Sequence, residues 1–170
     1  MKVVRANKND LASIQEAYAS GRTRQQDRGT LIWPEFSDSL LREEVQAQKL
    51  FCVLDGMTVA STFAIAYNDH AVWGHHERNA HLYLHRIARG PASTSRGLLT
   101  CILDWACERC LMLGREGIRM DTAAASSQLI AYYEQAGFNV IGQRVIEPEP
   151  TLPSHYFGTE VALLEMKCTF

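Results

Sequence analysis

The stretch "RIARGPASTSRGLLTCILDWA", residues 86–106, decides how this chain is read. It begins as the end of an apolar strand, breaks at Gly90-Pro91 into small polar residues, and resumes as a helix from Gly97. A strand that opens into a loop at a helix start gathers backbone amides and the positive end of the helix dipole, which together make an anion cradle. The loop has neither the lysine of a nucleoside-triphosphate loop nor several closely spaced glycines. Any anion held there is met by main-chain N–H groups, with Arg96 adding a charge.

Outward from this stretch, the chain alternates strand and helix signals. Lys2 to Ala6 reads as a short strand. "NKNDLASIQEAYASG" reads as a helix capped near Asn9 or Asp10, with Leu11, Ile14 and Ala17 at helical spacing. A polar stretch from Arg22 to Thr30 leads to "LIWPEF" and a second helix capped by Ser37 or Asp38. "LFCVLDGMTVASTFAIAY" is a hairpin turning at Asp55-Gly56. The loop "NDHAVWGHHERN" precedes the strand "AHLYLHRIA", whose alternation puts Tyr83, His85 and Ile87 on one face and Leu84 and Arg86 on the other. The helix from Gly97 to Leu113 stops at Gly114, "GIRMDT" is a strand, and "SSQLIAYYEQAGF" is a helix ending at Gly137. Two last strands, near 138–146 and 156–167, flank the irregular "EPEPTLPSH". The order βααβββαβαββ predicts a mixed α/β fold and disfavours a doubly wound dinucleotide-binding sheet.

The 170 residues, 46% hydrophobic, suit one domain spanning 1–170. A net charge of −2 argues against a nucleic-acid partner. No apolar run approaches the ~20 residues of a membrane span, and the start lacks the apolar segment of a secretory signal. Five cysteines, an odd number, fit a reducing, cytoplasmic setting better than a disulfide framework. Cys107 and Cys110 form one CxxC inside a helical pattern, which reads as ordinary packing. His70, Trp73, His75, His76 and Glu77 cluster in sequence, but adjacent histidines do not converge on one ion. No metal is expected.

Together, "YLHRIARGPASTSRGLLTCILDWA", "GIRMDT" and "LIAYYEQAGFNVIG" resemble the core of the GNAT N-acetyltransferase superfamily, over about residues 80–143. The resemblance implies a single GNAT-like domain: a mostly antiparallel sheet flanked by helices, with a splayed parallel strand pair forming the coenzyme cleft. It implies acetyl-CoA as donor, an amine of a small molecule or peptide as acceptor, and transfer of the acetyl group between them. A non-catalytic CoA-binding or interaction domain is the alternative, and a homodimer is left open.

The family loop pattern falls on Thr94, Gly97 and Leu99, of which only the glycine is retained. Main-chain groups of Thr94, Ser95, Arg96, Gly97 and Leu98 are expected to hold the pyrophosphate, while Leu99 places a bulky side chain where backbone meets phosphate. The resemblance assigns main-chain groups of Ile87, Ala88 and Arg89 to the pantetheine arm, and Ser126 to a position where related sequences often carry Asn. Tyr133, with Tyr132 beside it as an alternative, stands at the position of the family's tyrosine, whose phenol donates a proton to the leaving sulfur. His85 is the expected base. Asp121, at a strand end, is expected to anchor or orient the amine. Trp33 and Glu35, with Phe36, offer an aromatic wall and a carboxylate suited to a small cation.

Overall fold

The computed structural model describes residues 1–150 and 152–168. Seven strands form one sheet in the order β1-β2-β3-β4-β5-β7-β6, comprising β1 (Lys2–Arg5), β2 (Leu50–Asp55), β3 (Thr58–Ala66), β4 (His81–Arg89), β5 (Gly117–Ala123), β6 (Asn139–Val145) and β7 (Glu160–Lys167). The helices are α1 (Leu11–Asp27), α2 (Asp38–Gln46), α3 (His70–Trp73), α4 (Leu98–Met112) and α5 (Ser127–Gln135). The parallel pair is β4 with β5, in register from His81↔Gly117 to Tyr83↔Arg119. That register ends at Tyr83 although β4 runs to Arg89 and β5 to Ala123. None of the helices is long and apolar enough to cross a membrane.

The chain divides into two compact units, the first comprising Met1–Ile65 and Leu84–Trp105 and the second Ala66–Tyr83 and Ala106–Phe170. In the first, Asn7 starts a capping box: its side chain accepts from the Asn9 amide, and the Asp10 carboxylate accepts from the Asn7 amide. One 3-10 turn then passes into α1. α1 runs to Asp27, six residues beyond the expected end at Gly21. Gly21 is not a stop; a Cβ there would lie 3.0 Å from the Trp33 ring, so the glycine makes room for the indole. Ser37 caps α2 by accepting from the Leu40 amide. The hairpin turns with Gly56 at φ 60, while Asp55 stays in β2. The core of this unit gathers Ile14, Ala17, Tyr18, Leu41, Leu50 and Cys52. Phe51, Phe63 and Trp105 add an aromatic cluster with centroids 4.5 to 5.6 Å apart.

In the second unit, β5 and β6 flank β7 in antiparallel register. Val72, Trp73, Tyr83, Ile146, Val161 and Leu163 form its core. The segment expected as a His- and Trp-rich loop folds into α3 and a following 3-10 turn, with Asp69 capping through the Val72 amide. The last strand starts at Glu160 and not at 156, because Ser154–Tyr156 closes a 3-10 turn. Thr151, within the proline-rich link, and Thr169 and Phe170 lie outside the described residues.

The expectation of unbridged cysteines is corrected here. Cys107 of α4 is disulfide-bonded to Cys168 past the end of β7, with Cα atoms 5.2 Å apart at a sequence separation of 61. Cys110 behaves as expected of packing: buried, its thiol donates to the Gly117 carbonyl at 3.3 Å.

Candidate active site

Within the first unit, Ala88 and Gly90 turn their backbone toward β3. The Ala88 carbonyl accepts from Ser61 Oγ at 2.8 Å, and the Gly90 amide donates to the Ala60 carbonyl at 3.0 Å. By strand alternation, the main-chain groups of Ile87 and Arg89 point to the opposite edge. The Arg89 carbonyl there accepts from Arg24 Nη1 at 3.3 Å. Of the three residues expected to pair with an extended ligand, Ile87 and Arg89 therefore present the outward backbone.

The loop after β4 is tied down by polar contacts. The Ser93 amide donates to the Gly90 carbonyl at 3.1 Å, Arg89 Nη1 donates to the Ser93 carbonyl at 3.3 Å, and Ser95 Oγ donates to Asp55 Oδ2 at 2.6 Å. The Ser95 amide is turned to Ser93 Oγ at 3.4 Å. Gly97 sits at φ 70, a conformation that L side chains rarely adopt, and a Cβ there would meet only the Met1 side chain, at an ordinary contact distance of 4.0 Å. Backbone conformation, not crowding, is what requires the glycine. The first bond of α4 closes from the Cys101 amide to the Gly97 carbonyl at 3.0 Å. The amides of Leu98, Leu99 and Thr100 lie ahead of it, as the orphan donors of a helix start. Leu98 and Leu99 are buried, so both side chains are drawn into the core and away from the exposed Thr94, Arg96 and Gly97. The bulk expected of Leu99 at the phosphate position is thus removed.

Upstream on β4, Arg86 takes φ 53, a strained value for a non-glycine residue. The two-residue alternation along the strand stops there. The Arg86 guanidinium lies 4.7 Å from the Phe36 ring centroid and 5.5 Å from that of Tyr18, and it pairs with Glu44. The aromatic wall offered by "LIWPEF" is therefore already occupied by a cation from this chain. Trp33 is packed on Gly21 and edge-on to Tyr18, and its backbone amide donates to Gln25 Oε1 at 2.9 Å. Glu35 is exposed, 3.4 Å from Arg22. His85, on the same strand, is part-buried. Burial first, then the charge of Arg86, hold its imidazole down at about 4.

Within the second unit, Asp121 near the end of β5 is part-buried. Burial pushes its carboxyl up to about 7, and the charge of Asp69 adds to the shift. Carboxylate oxygens of Asp69 and Asp121 lie within 4.8 Å of one another. Asp69 is itself pushed up to about 6, chiefly by burial, against the Val72 amide that favours its charge. Tyr133 is buried and edge-on to Phe138, whereas Tyr132 is 51% exposed, which separates the two aromatic candidates. Burial, with Tyr132 and Asp121 adding to it, holds the Tyr133 phenol far above its ordinary value. Ser126 precedes α5 as its N-cap residue, with no side-chain cap; its carbonyl accepts from the Leu129 and Ile130 amides at 3.0 Å.

The histidine-rich segment serves the interior through Val72, Trp73 and its backbone, while His75 is exposed. The His75 and His76 rings lie tilted with centroids 4.1 Å apart, and the buried Arg119 reaches the His76 carbonyl at 2.7 Å, Tyr83 Oη at 3.2 Å and Glu165 at 2.8 Å, over the Trp73 ring. Two features escaped the sequence. The Asp69–Asp121 juxtaposition joins residues 52 apart with no motif between them, and nothing in "LHRIAR" marked Arg86 as left-handed.

No protein-family model and no curated protein matches the sequence. Solved structures do match the fold. An acetyltransferase of the GNAT family from Listeria monocytogenes superposes with a TM-score of 0.70 at 16% identity, covering 96% of this chain and 94% of that one. The structure of yncA from Salmonella typhimurium with its cofactor acetyl-CoA gives 0.67 at 14%, covering 99% and 94%. The ribosomal-protein-S18-alanine N-acetyltransferase of Escherichia coli gives 0.64 at 15%, also covering 99% and 94%. This chain has the GNAT fold: a mixed, mostly antiparallel seven-stranded sheet with one parallel pair, flanked by helices.

Proposed function

We propose that this chain is an acyltransferase that moves an acetyl group from acetyl-CoA to a primary amine of a small molecule or peptide. The observation that carries the proposal is the loop 93–97 running into α4, where a left-handed Gly97 and three orphan helix amides make an anion cradle on this fold. Arg96, exposed on that loop, adds a positive charge toward the phosphates. The outward backbone of Ile87 and Arg89 offers strand-like hydrogen bonds to the pantetheine amides.

Acetyl transfer forms a bond from the amine nitrogen to the acetyl carbon and breaks the carbon–sulfur bond. Asp121 takes the proton from the amine nitrogen, since a carboxyl pushed to about 7 is poised between holding and releasing a proton near neutrality. Tyr133 gives its proton to the leaving sulfur and recovers one from solvent. Its buried phenol stays protonated across the working range, as an acid must. His85, held down at about 4, is neutral there and serves as a hydrogen-bonding group or water-assisted acceptor. A donor of this kind fits a cytoplasmic location.

The test is titration of the protein with acetyl-CoA and CoA by calorimetry, followed by thiol release across a panel of amines. Arg96→Glu is expected to weaken both coenzymes about tenfold or more, since it reverses a charge beside the phosphates. Full affinity in that variant removes the loop from the site. Binding without thiol release for every amine would leave a CoA-binding module in place of an enzyme.

A further inference from the structure

A groove of about 350 Å³ opens in the first unit, between α1 and the segment that leads into α2. Its size is at the small end of ligand sites. Arg22 and Glu35 both line it, with Glu16 and Gln15 beside them and the Tyr18 and Phe36 rings forming an apolar wall. Those rings already carry a cation, the Arg86 guanidinium, which is paired on its other side with Glu44. A free ammonium ion approaching the aromatic wall meets that positive charge, so the wall offers its apolar surface and not its electron-rich faces.

The groove's own charges are of both signs. Arg22 Nη2 and Glu35 Oε1 stand 3.4 Å apart, with the Glu35 side chain 89% exposed and that of Arg22 24% exposed. Such a solvent-screened pair is weakly held, so a ligand can displace it at little cost. Gln15 is engaged with Asp38. Arg22 offers a planar fork of donors that matches a carboxylate, and the exposed Glu35 carboxylate is open to a neighbouring amine. A simple amine would satisfy Glu35 and leave Arg22 without its carboxylate; a simple carboxylate would do the reverse. A ligand carrying both groups close together satisfies the two at once and lays its substituent on Phe36.

We propose that this groove binds α-amino acids, with the carboxylate on Arg22, the amino group on Glu35 and an apolar side chain against Phe36 and Tyr18. This deepens the reading above, on which it rests, by naming the acceptor class. Calorimetric titrations with L-alanine, L-methionine and L-phenylalanine, each with and without saturating CoA, test it independently of turnover. 2-Phenylethylamine, 3-phenylpropanoate and putrescine are the controls. The best amino acid is expected to bind about tenfold or more tightly than 2-phenylethylamine, 3-phenylpropanoate or putrescine. Arg22→Gln should reduce L-phenylalanine to the level of 2-phenylethylamine, and Glu35→Gln should reduce it to that of 3-phenylpropanoate, the latter with its melting temperature unchanged because the Glu35 side chain is exposed. Lack of binding by all three amino acids, equal binding by 2-phenylethylamine or putrescine, or full affinity in Arg22→Gln overturns the proposal. If simple amines are acetylated while the amino acids fail to bind, this inference falls alone. If no amine releases thiol while the amino acids bind as described, the acetyl-transfer reading falls and the amino-acid site stands.

Discussion

Burial sets the protonation of the three groups that the proposed acetyl transfer relies on. Tyr133 is held above its ordinary value, Asp121 is lifted to about 7 and His85 is lowered to about 4. A base must be deprotonated to act, so kcat/KM is expected to rise with pH through about 7 and level off above it, and that limb should survive His85→Gln but vanish in Asp121→Asn. A limb near 4 that disappears with His85→Gln would reassign the base. The same shift has a consequence for stability. The Asp121 carboxyl ionises near 3.8 in the unfolded chain and near 7 in the folded one, so the fold binds the extra proton between those values. Stability is therefore lost as pH rises from about 4 to about 7, with no further loss above. Asp121→Asn should accordingly melt several degrees higher than the parent at pH 8 and close to it at pH 4, by calorimetry. For Tyr133→Phe, loss of the proton donor should lower kcat about tenfold or more while acetyl-CoA affinity stays within about twofold. An unchanged kcat with chemistry limiting would show that Tyr133 only packs against Phe138.

At the scale of elements, the helices and strands follow signals that one sequence displays. Ser37 caps α2, and Gly114 and Gly137 end α4 and α5 at φ 64 and 106, as read; the first cap falls on Asn7, with Asp10 closing its capping box, and not on the expected Asn9 or Asp10. These are local devices, and local devices are legible. What stayed hidden depends on residues far apart in the chain. Gly21 reads as a stop until Trp33 is seen against it, and a CxxC reads as packing until Cys168 is brought from 61 residues away to Cys107. Asp121 was legible as a strand-end carboxylate, but its proton affinity was not, because burial and Asp69 supply it. The loop 93–97 was readable from its small residues; the inward turn of Leu99 was not. The disulfide ties α4 to the chain leaving β7. Closing a loop of that length removes unfolded-state entropy worth at most about 4 kcal/mol in the chain-entropy model. Cys168→Ser, or treatment with a reductant, is expected to lower the melting temperature by up to about 16 °C, at roughly 2–4 °C per kcal/mol for a domain of this size. An identical melting curve with and without reductant would show that the link is not formed in solution.

For the whole molecule, the proposed coenzyme should act as a ligand of the folded state alone, because the cradle proposed for it exists only once β4, the loop and α4 are formed. Unfolded chain supplies neither the left-handed Gly97 nor the aligned amides of Leu98, Leu99 and Thr100. At a hundredfold excess over Kd, linkage adds about 2.7 kcal/mol. That corresponds to a rise of about 5–11 °C in melting temperature at this chain length. CoA and acetyl-CoA should give nearly equal shifts, since the proposed cradle would meet the phosphates and not the acetyl group. With Arg96 exposed, its share of the attraction lies in solvent and is screened, so the shift should shrink as salt rises beyond about 0.15 M, where the screening length falls below about 8 Å. In Arg96→Glu both the shift and its salt dependence should decline together. A salt-independent shift that survives Arg96→Glu would place the ligand's binding energy in apolar contacts elsewhere and remove the 93–97 loop from the site.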